Sequence, residues 1–278
     1  MTKNEITIVI NAFKSEKKLF KCLETIEPQY KVILIENSED SLFKTAIEKK
    51  FSNLECIVTG ENLGYAKGNN LGLSKVKSKY ALIINPDAIL EKDAIRNFFH
   101  TAALIKNFAI IGPAIQEIHN IKKINVATEV DSVKGFAMFL NLEEFKDVGF
   151  FDSNFFIYLE EIDLCKRLKK ENKKIFLDPN ILIYHQGGGS HEKQYNFEIE
   201  LSRNWHWMWS TFYFTKKHKG FLYALFNGSN KLTSAFIKYI FYSLTMKSSK
   251  KLIYKNRMAG LFNSIMGKSS WYRPFNNN

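Results

Sequence analysis

The sequence predicts an α/β fold with a mostly parallel central sheet flanked by helices. Three observations carry that prediction. Short β-branched apolar runs alternate with helix-patterned segments through the first 110 residues. The runs are predominantly apolar, as in candidate buried strands. Polar turn-forming residues follow the strands, at the end where an α/β sheet opens its binding crevice.

In order, the strands are "ITIVI" (6–10), "KVILIE" (31–36), "LECIV" (54–58), "YALIIN" (80–85) and "FAIIG" (108–112). Helix-like patterns lie between them near 16–26, 41–50, 66–76 and 91–106, so the chain reads as successive βαβ units. After the first strand stands Asn11, after the second Glu36-Asn37-Ser38, after the third the segment Asn62 to Asn70, and after the fourth Asn85-Pro86-Asp87. Turn chemistry accounts for any one of these loops. Four in register, two of them with a carboxylate, point to a nucleotide site.

Which nucleotide site is narrowed by what is missing. No GxGxxG follows the first strand and no GxxxxGK[ST] occurs, which disfavours a dinucleotide fold and a P-loop NTPase. The loop "NAFKSEKKLF" lacks the glycine and arginine wanted by a sugar-nucleotide pyrophosphorylase. The three cysteines, Cys22, Cys56 and Cys165, are scattered without CxxC spacing and read as reduced thiols in a cytosolic setting. The first residues contain no long apolar segment of the signal-peptide kind.

Charge divides the chain near residue 200. Residues 201–278 hold 13 Lys or Arg and no acid, while residues 1–200 hold 27 basic and 28 acidic residues. The overall +12 is thus a property of the tail. The expected organisation is a catalytic domain over 1–200, split into a nucleotide-sugar half (1–112) and an acceptor and catalytic half (113–200), followed by a basic, aromatic-rich helical extension over 201–278.

The segment "FFIYLEEIDLCKRL" (155–168) ends an apolar run in three acids, Glu160, Glu161 and Asp163. Helix capping and an Asp163–Arg167 pair explain part of it. The aromatic approach and the two adjacent carboxylates call for something more.

Taken together, "VINAF", "IENSED", "ENLGYAKGNNLGL", "INPDAIL", "VKGFAMFLNLEEFKDVGFFDSNFFIYLEEIDLCKRL" and "YHQGGGS" occur in that order over residues 6–190. The set resembles family-2 inverting glycosyltransferases of the GT-A fold, particularly their rhamnosyltransferase-like branch. The resemblance implies transfer of one sugar from a nucleoside-diphosphate sugar, dTDP-rhamnose or a UDP-hexose, to a saccharide acceptor. Glu36 matches an aspartate that accepts the nucleobase N–H. Asn11, Asn62, Gly64, Lys67, Asn69, Asn85 and Gly135 match the lining of the donor pocket, with the helix N-terminus after Asn62 favouring a phosphate. Asp87 matches the last acid of the DxD-like motif, which ligates Mg²⁺ or Mn²⁺, and His185 matches a histidine that completes the metal or pyrophosphate site. In the "Y.ED.DL..R" segment, Glu161 takes the place of the aspartate that acts as general base. Glu160 is implied to bind acceptor or orient the loop, with Asp163 as the fallback base. Phe155, Phe156 and Tyr158 are expected to wall the pocket rim, and Gly187–Ser190 to order over bound donor. Glu for Asp at 36 and 161 departs from the family pattern, and it keeps open a degenerate domain that binds carbohydrate or membrane without catalysis.

The tail mixes Trp, Phe and Tyr with lysine and shows no uninterrupted apolar stretch of about 20 residues. Amphipathic helices of this composition fit an anionic membrane surface; a helical extension with a solvated basic face fits as well. No nucleic-acid motif accompanies the charge. The expected setting is the inner face of the cytoplasmic membrane, with a lipid-linked glycan as acceptor. The QxxRW motif of processive synthases is missing, so single-sugar addition is expected over polymerisation.

Overall fold

The computed structural model describes residues 5–114, 126–185 and 193–275. The chain forms two compact units. One comprises Met1–Asp152 with Glu161–Glu192, and the other Ser153–Glu160 with Lys193–Asn278.

The first unit is the α/β domain. Its strands are β1 (Ile6–Ala12), β2 (Lys31–Glu36), β3 (Leu54–Val58), β4 (Tyr80–Ile84), β5 (Ala88–Leu90), β6 (Ile110–Ala114), β7 (Thr128–Glu129), β8 (Ala137–Asn141) and β9 (Ile175–His185). Its helices are α1 (Glu16–Glu24), α2 (Ser41–Lys50), α3 (Gly64–Leu73), α4 (Ala94–Leu104) and α5 (Glu160–Lys170), the last beginning one residue before this unit resumes. The sheet runs β3-β2-β1-β4-β8-β6-β9-β5, with β7 on β9. β1, β2, β3 and β4 pair in parallel, as their apolar runs predict.

The fifth predicted strand behaves differently. β6 does not follow β4; the antiparallel β8 lies between them. β8 earns a central place because all five of its residues are buried. Phe139, at its middle, stacks on Tyr80 at 5.0 Å and on Phe98 at 5.1 Å. β6 and β9 are parallel, so the directions work out simply. The C-termini of β1, β2, β4 and β9 and the start of β8 share one sheet edge.

The second unit contains α6 (Asn196–Lys219), α7 (Phe221–Leu244) and α8 (Ser248–Ile265). Gly220, at φ 87°, turns the chain between α6 and α7 in a conformation that favours glycine. A Cβ at Gly260 would come within 2.1 Å of the Trp205 carbonyl oxygen, so glycine sets the close approach of α8 to α6. Trp209 donates from Nε1 to the Lys268 carbonyl (2.9 Å), and Ser264 Oγ donates to the Trp209 carbonyl (3.0 Å). His206 is fully buried, and burial holds its imidazole down at about 3, well below the usual range. No described helix is long and apolar enough to cross a membrane.

This unit also claims the segment 153–160. Phe155 packs edge-on against Tyr213, and Phe156 stacks on His206 at 4.4 Å with the Arg273 guanidinium on it at 4.1 Å. Ser210 donates to the Ile157 carbonyl (2.9 Å) and Arg203 Nε to the Tyr158 hydroxyl (2.9 Å). The expectation that Phe155 and Phe156 wall a pocket rim is therefore corrected. Both rings are buried among the C-terminal helices, because α6 supplies an aromatic face for them.

Candidate active site

The C-terminal edge of the sheet gathers most of the predicted residues. Asn11, near the end of β1, is a structural hub. Its Nδ2 donates to the carbonyls of Gly64 (2.9 Å) and Tyr65 (3.2 Å), and its Oδ1 accepts from Asn37 Nδ2. Asn37 Oδ1 in turn accepts from the Leu63 N–H (3.3 Å), and Asn62 Oδ1 accepts from the Gly64 N–H (3.0 Å). The N–H groups of Leu63 and Gly64, at the entry to α3, are thus held by asparagine side chains. Gly64 at φ 76° makes the turn into α3. Gly68 leaves room for Asn11, whose amide an added Cβ would meet at 2.5 Å. Lys67 is exposed on α3. Asn69 is fully buried and donates to the Tyr65 carbonyl (2.9 Å), so its side chain serves the interior of this loop.

Glu36 ends β2 with 7% of its surface exposed. Burial lifts its carboxyl from 4.5 to about 7, against the opposing pull of the Ser38 hydroxyl and of Lys14. The unfolded chain ionises this group first, so stability is full below about pH 4.5 and falls as pH rises to about 7. Glu36→Gln is expected to match the wild type at pH 4 and to exceed it at pH 8 by on the order of 3 kcal/mol in urea unfolding. A constant difference across pH would contradict the shift.

Asp87, Asn85 and His185 meet at the same edge. β5 pairs with the end of β9, setting Ala88 opposite His185. His185 Nε2 lies 3.2 Å from Asp87 Oδ1 and 3.2 Å from Asn85 Nδ2. The ring stacks on Phe136 at 4.7 Å and 8°, which fixes its plane. Asp87 is 7% exposed, and neither of its carboxylate oxygens accepts a hydrogen bond among the described residues. With the imidazole proton on Nδ1, Nε2 and the carboxylate are two electron-rich groups in contact, and a cation relieves that. The hard oxygen and imidazole donors suit a divalent ion. Among the described residues no three His, Cys, Asp or Glu cluster, so such an ion would take its other ligands from a bound phosphate and water. Beside Asp87 opens a cleft of about 270 Å³ lined by Lys18 and Lys21 of α1, Ile89 and Tyr184.

Gly135 sits just before β8 at this edge. A Cβ there would meet the Tyr65 hydroxyl at 3.2 Å and Glu161 Cβ at 3.5 Å, so Glu161, half-buried at the start of α5, borders Gly135. The Tyr65 hydroxyl donates to the Gly135 carbonyl. Asn70 locks the other side of α3, exchanging two hydrogen bonds with Phe151.

Asp163 is fully buried and receives Arg167 Nε at 2.8 Å. Arg167 reaches on to the carbonyls of Val148 (2.9 Å) and Phe150. That corrects the assignment of Asp163 as fallback base, because a buried, ion-paired carboxylate holds a loop and meets no acceptor. Asp163→Ala is expected to cost roughly 3 kcal/mol in unfolding free energy by stranding Arg167. Glu160 is 4% exposed, within the helical unit, immediately after Tyr158 and Leu159 at φ 76° and 69°. Such burial suits orienting the loop better than touching acceptor. Gly187–Ser190 lie outside the described residues.

The Glycosyl transferase family 2 profile matches residues 7–165, more than half of the chain. The chain belongs to that family. Among its relatives is the low-salt glycan biosynthesis hexosyltransferase Agl10 of Haloferax volcanii, 26% identical over 62% of this chain. The match covers 64% of that relative's own length. The rhamnosyltransferase WbbL of Escherichia coli is 27% identical, over 68% of this chain and 84% of its own. Among solved structures, a mannosyltransferase from Pyrobaculum calidifontis in complex with GDP-Man and Mn²⁺ superposes with a TM-score of 0.61 at 11% identity, covering 95% of this chain and 88% of that one. S. aureus TarS in complex with UDP gives 0.54 at 11%, covering 97% and 93%. These likenesses confirm the GT-A fold of this family-2 glycosyltransferase.

The sequence reading passed over several residues at this edge. Tyr65 and Phe136 buttress Gly135 and His185, and no local pattern marks them. Lys18 and Lys21 carried a signal, two cations one turn apart on the helix after the first strand.

Proposed function

We propose that the chain is an inverting glycosyltransferase. It moves one sugar from a dTDP or UDP sugar to a glycan acceptor, lipid-linked and presented at an anionic membrane on the cytoplasmic side. The observation that carries this reading is the Asp87 carboxylate, buried with no hydrogen bond among the described residues and facing His185 Nε2 at the C-terminal sheet edge. Asp87 and His185 would hold Mg²⁺ or Mn²⁺, which when bound supplies positive charge against the leaving nucleoside diphosphate. Lys18 and Lys21, lining the adjacent cleft, add charge for the phosphates. Glu36 meets the nucleobase N–H, as acceptor in either protonation state through its carbonyl oxygen. Asn11, Asn37, Asn62 and Asn69 keep the pocket's loops in register, and Asn85 and Phe136 aim the imidazole. Glu161 takes the proton of the acceptor hydroxyl as that oxygen attacks the anomeric carbon, with the C1–O bond to the diphosphate breaking on the opposite face.

Thermal unfolding against UDP, dTDP and GDP, each with and without Mn²⁺, tests the reading. A stabilisation by UDP or dTDP that needs the metal is expected. No shift with any nucleotide would overturn the enzymatic reading and leave a module that binds without catalysis.

A further inference from the structure

We infer that the outward face of α7 is the docking surface for an anionic lipid bilayer, with the helix lying in the plane of the interface. This deepens the membrane part of the reading above and rests on it. α7 is built inside out for a helix in water. Toward α6 and α8 it presents Ala224, Gly228 and Ala235, all buried. A Cβ at Gly228 would meet Phe212 at 3.3 Å and Leu261 at 3.5 Å, so the inner face must be small. Its large side chains point the other way. Leu222, Phe226, Ile237, Phe241 and Leu244 are 79%, 70%, 62%, 54% and 78% exposed. At about 100° per residue they fall within an arc of about 100°, nearly opposite the buried face. An exposed apolar stripe of this kind marks an interaction surface.

Charge selects the occupant. Residues 201–278 contain 13 Lys or Arg and no acid. Lys231 and Lys238 lie along one side of the stripe, between it and the buried face of α7, with Lys238 over the ring of Tyr254 of α8 at 5.5 Å. Lys250 and Lys251 of α8 lie over the rings of Tyr242 and Tyr239 at 5.4 and 5.7 Å. Two copies joined through this face would bring lysines together with no carboxylate from this segment to pair them. A nucleic acid would meet the lysines and leave the apolar stripe in water. A bilayer with anionic headgroups satisfies both, taking the stripe among its acyl chains and the lysines at the phosphates. α7 cannot go deeper, because Asn230 and Thr233 interrupt the stripe and the helix is not apolar enough to span.

Co-sedimentation of the full chain with phosphatidylcholine vesicles, with and without phosphatidylglycerol, tests the inference. The wild type is expected to sediment with the phosphatidylglycerol vesicles alone. Lys250→Gln with Lys251→Gln should weaken that binding roughly thirtyfold, at about 1 kcal/mol per cation near such a surface. Phe226→Glu with Ile237→Glu should abolish it while leaving the nucleotide-dependent thermal shift unchanged, which separates loss of the membrane from loss of the donor site. If that pair fails to fold, Leu222→Gln with Leu244→Gln at the two ends should still weaken binding. Equal sedimentation with both vesicle types, or with neither, overturns the inference. So does a lipid-free dimer, seen by sedimentation velocity, that Phe226→Glu dissociates.

Discussion

Glu161→Gln is expected to abolish sugar transfer, by about 10²–10⁴-fold in kcat, while donor binding stays at the wild-type level. The amide keeps the size and hydrogen-bonding reach of the side chain and loses only the ability to take a proton. Glu161 is half-buried against Gly135, whose lack of a side chain leaves room between Tyr65 and the carboxylate. Asp163 is no substitute, since it is fully buried under Arg167. Glu160, 4% exposed, is no better placed. Single-turnover kinetics with saturating donor, together with calorimetric titration of the nucleotide, separates the two quantities. Transfer at the wild-type rate in Glu161→Gln would show that another group accepts the proton. Glu161→Asp is informative beside it, since it restores the residue found in the family pattern but draws the carboxylate back by one methylene, on the order of 1.5 Å.

Asp87→Ala is expected to eliminate metal-dependent donor binding. Among the described residues the carboxylate accepts no hydrogen bond, so its removal strands no donor and the protein should not be destabilised. Loss of the metal-dependent thermal shift at unchanged or raised Tm in the absence of nucleotide is the expected signature. Metal and nucleotide titrations by calorimetry distinguish this from misfolding. If the variant bound UDP or dTDP with the same Mn²⁺ dependence, the metal would lie elsewhere. His185→Ala should weaken the same metal dependence, because one imidazole of a two-residue set is lost.

Much of the fold was legible from the residues alone, and so were many of the site positions. The runs at 31–36 and 54–58 matched β2 and β3 residue for residue because short, mostly apolar segments bounded by polar residues mark strands in a parallel sheet. Asn11, Glu36, Asn62, Asn85 and Asp87 were found because parallel strands send their polar ends to one edge. β8 was harder to assign. Its sequence "AMFLN" fits a core strand anywhere, and only pairing with β4 and β6 gives it a direction. The same limit applied to the acids of 160–163. All three look alike in sequence, and burial and the reach of Arg167 separated them.

By itself the sequence determined the α/β class, the order of the loops at the sheet edge and the division of charge near residue 200. These follow from local periodicity, turn chemistry and counting, which need no knowledge of distant neighbours. Tertiary structure decided the rest: the meeting of His185 with Asp87, the withdrawal of Asp163 from the chemistry, the capture of Phe155 and Phe156 by the C-terminal helices, and the outward turn of α7's large residues. Each depends on which surfaces, far apart along the chain, bury one another. Side-chain volume and hydrogen-bond geometry settle that choice only once the elements are packed.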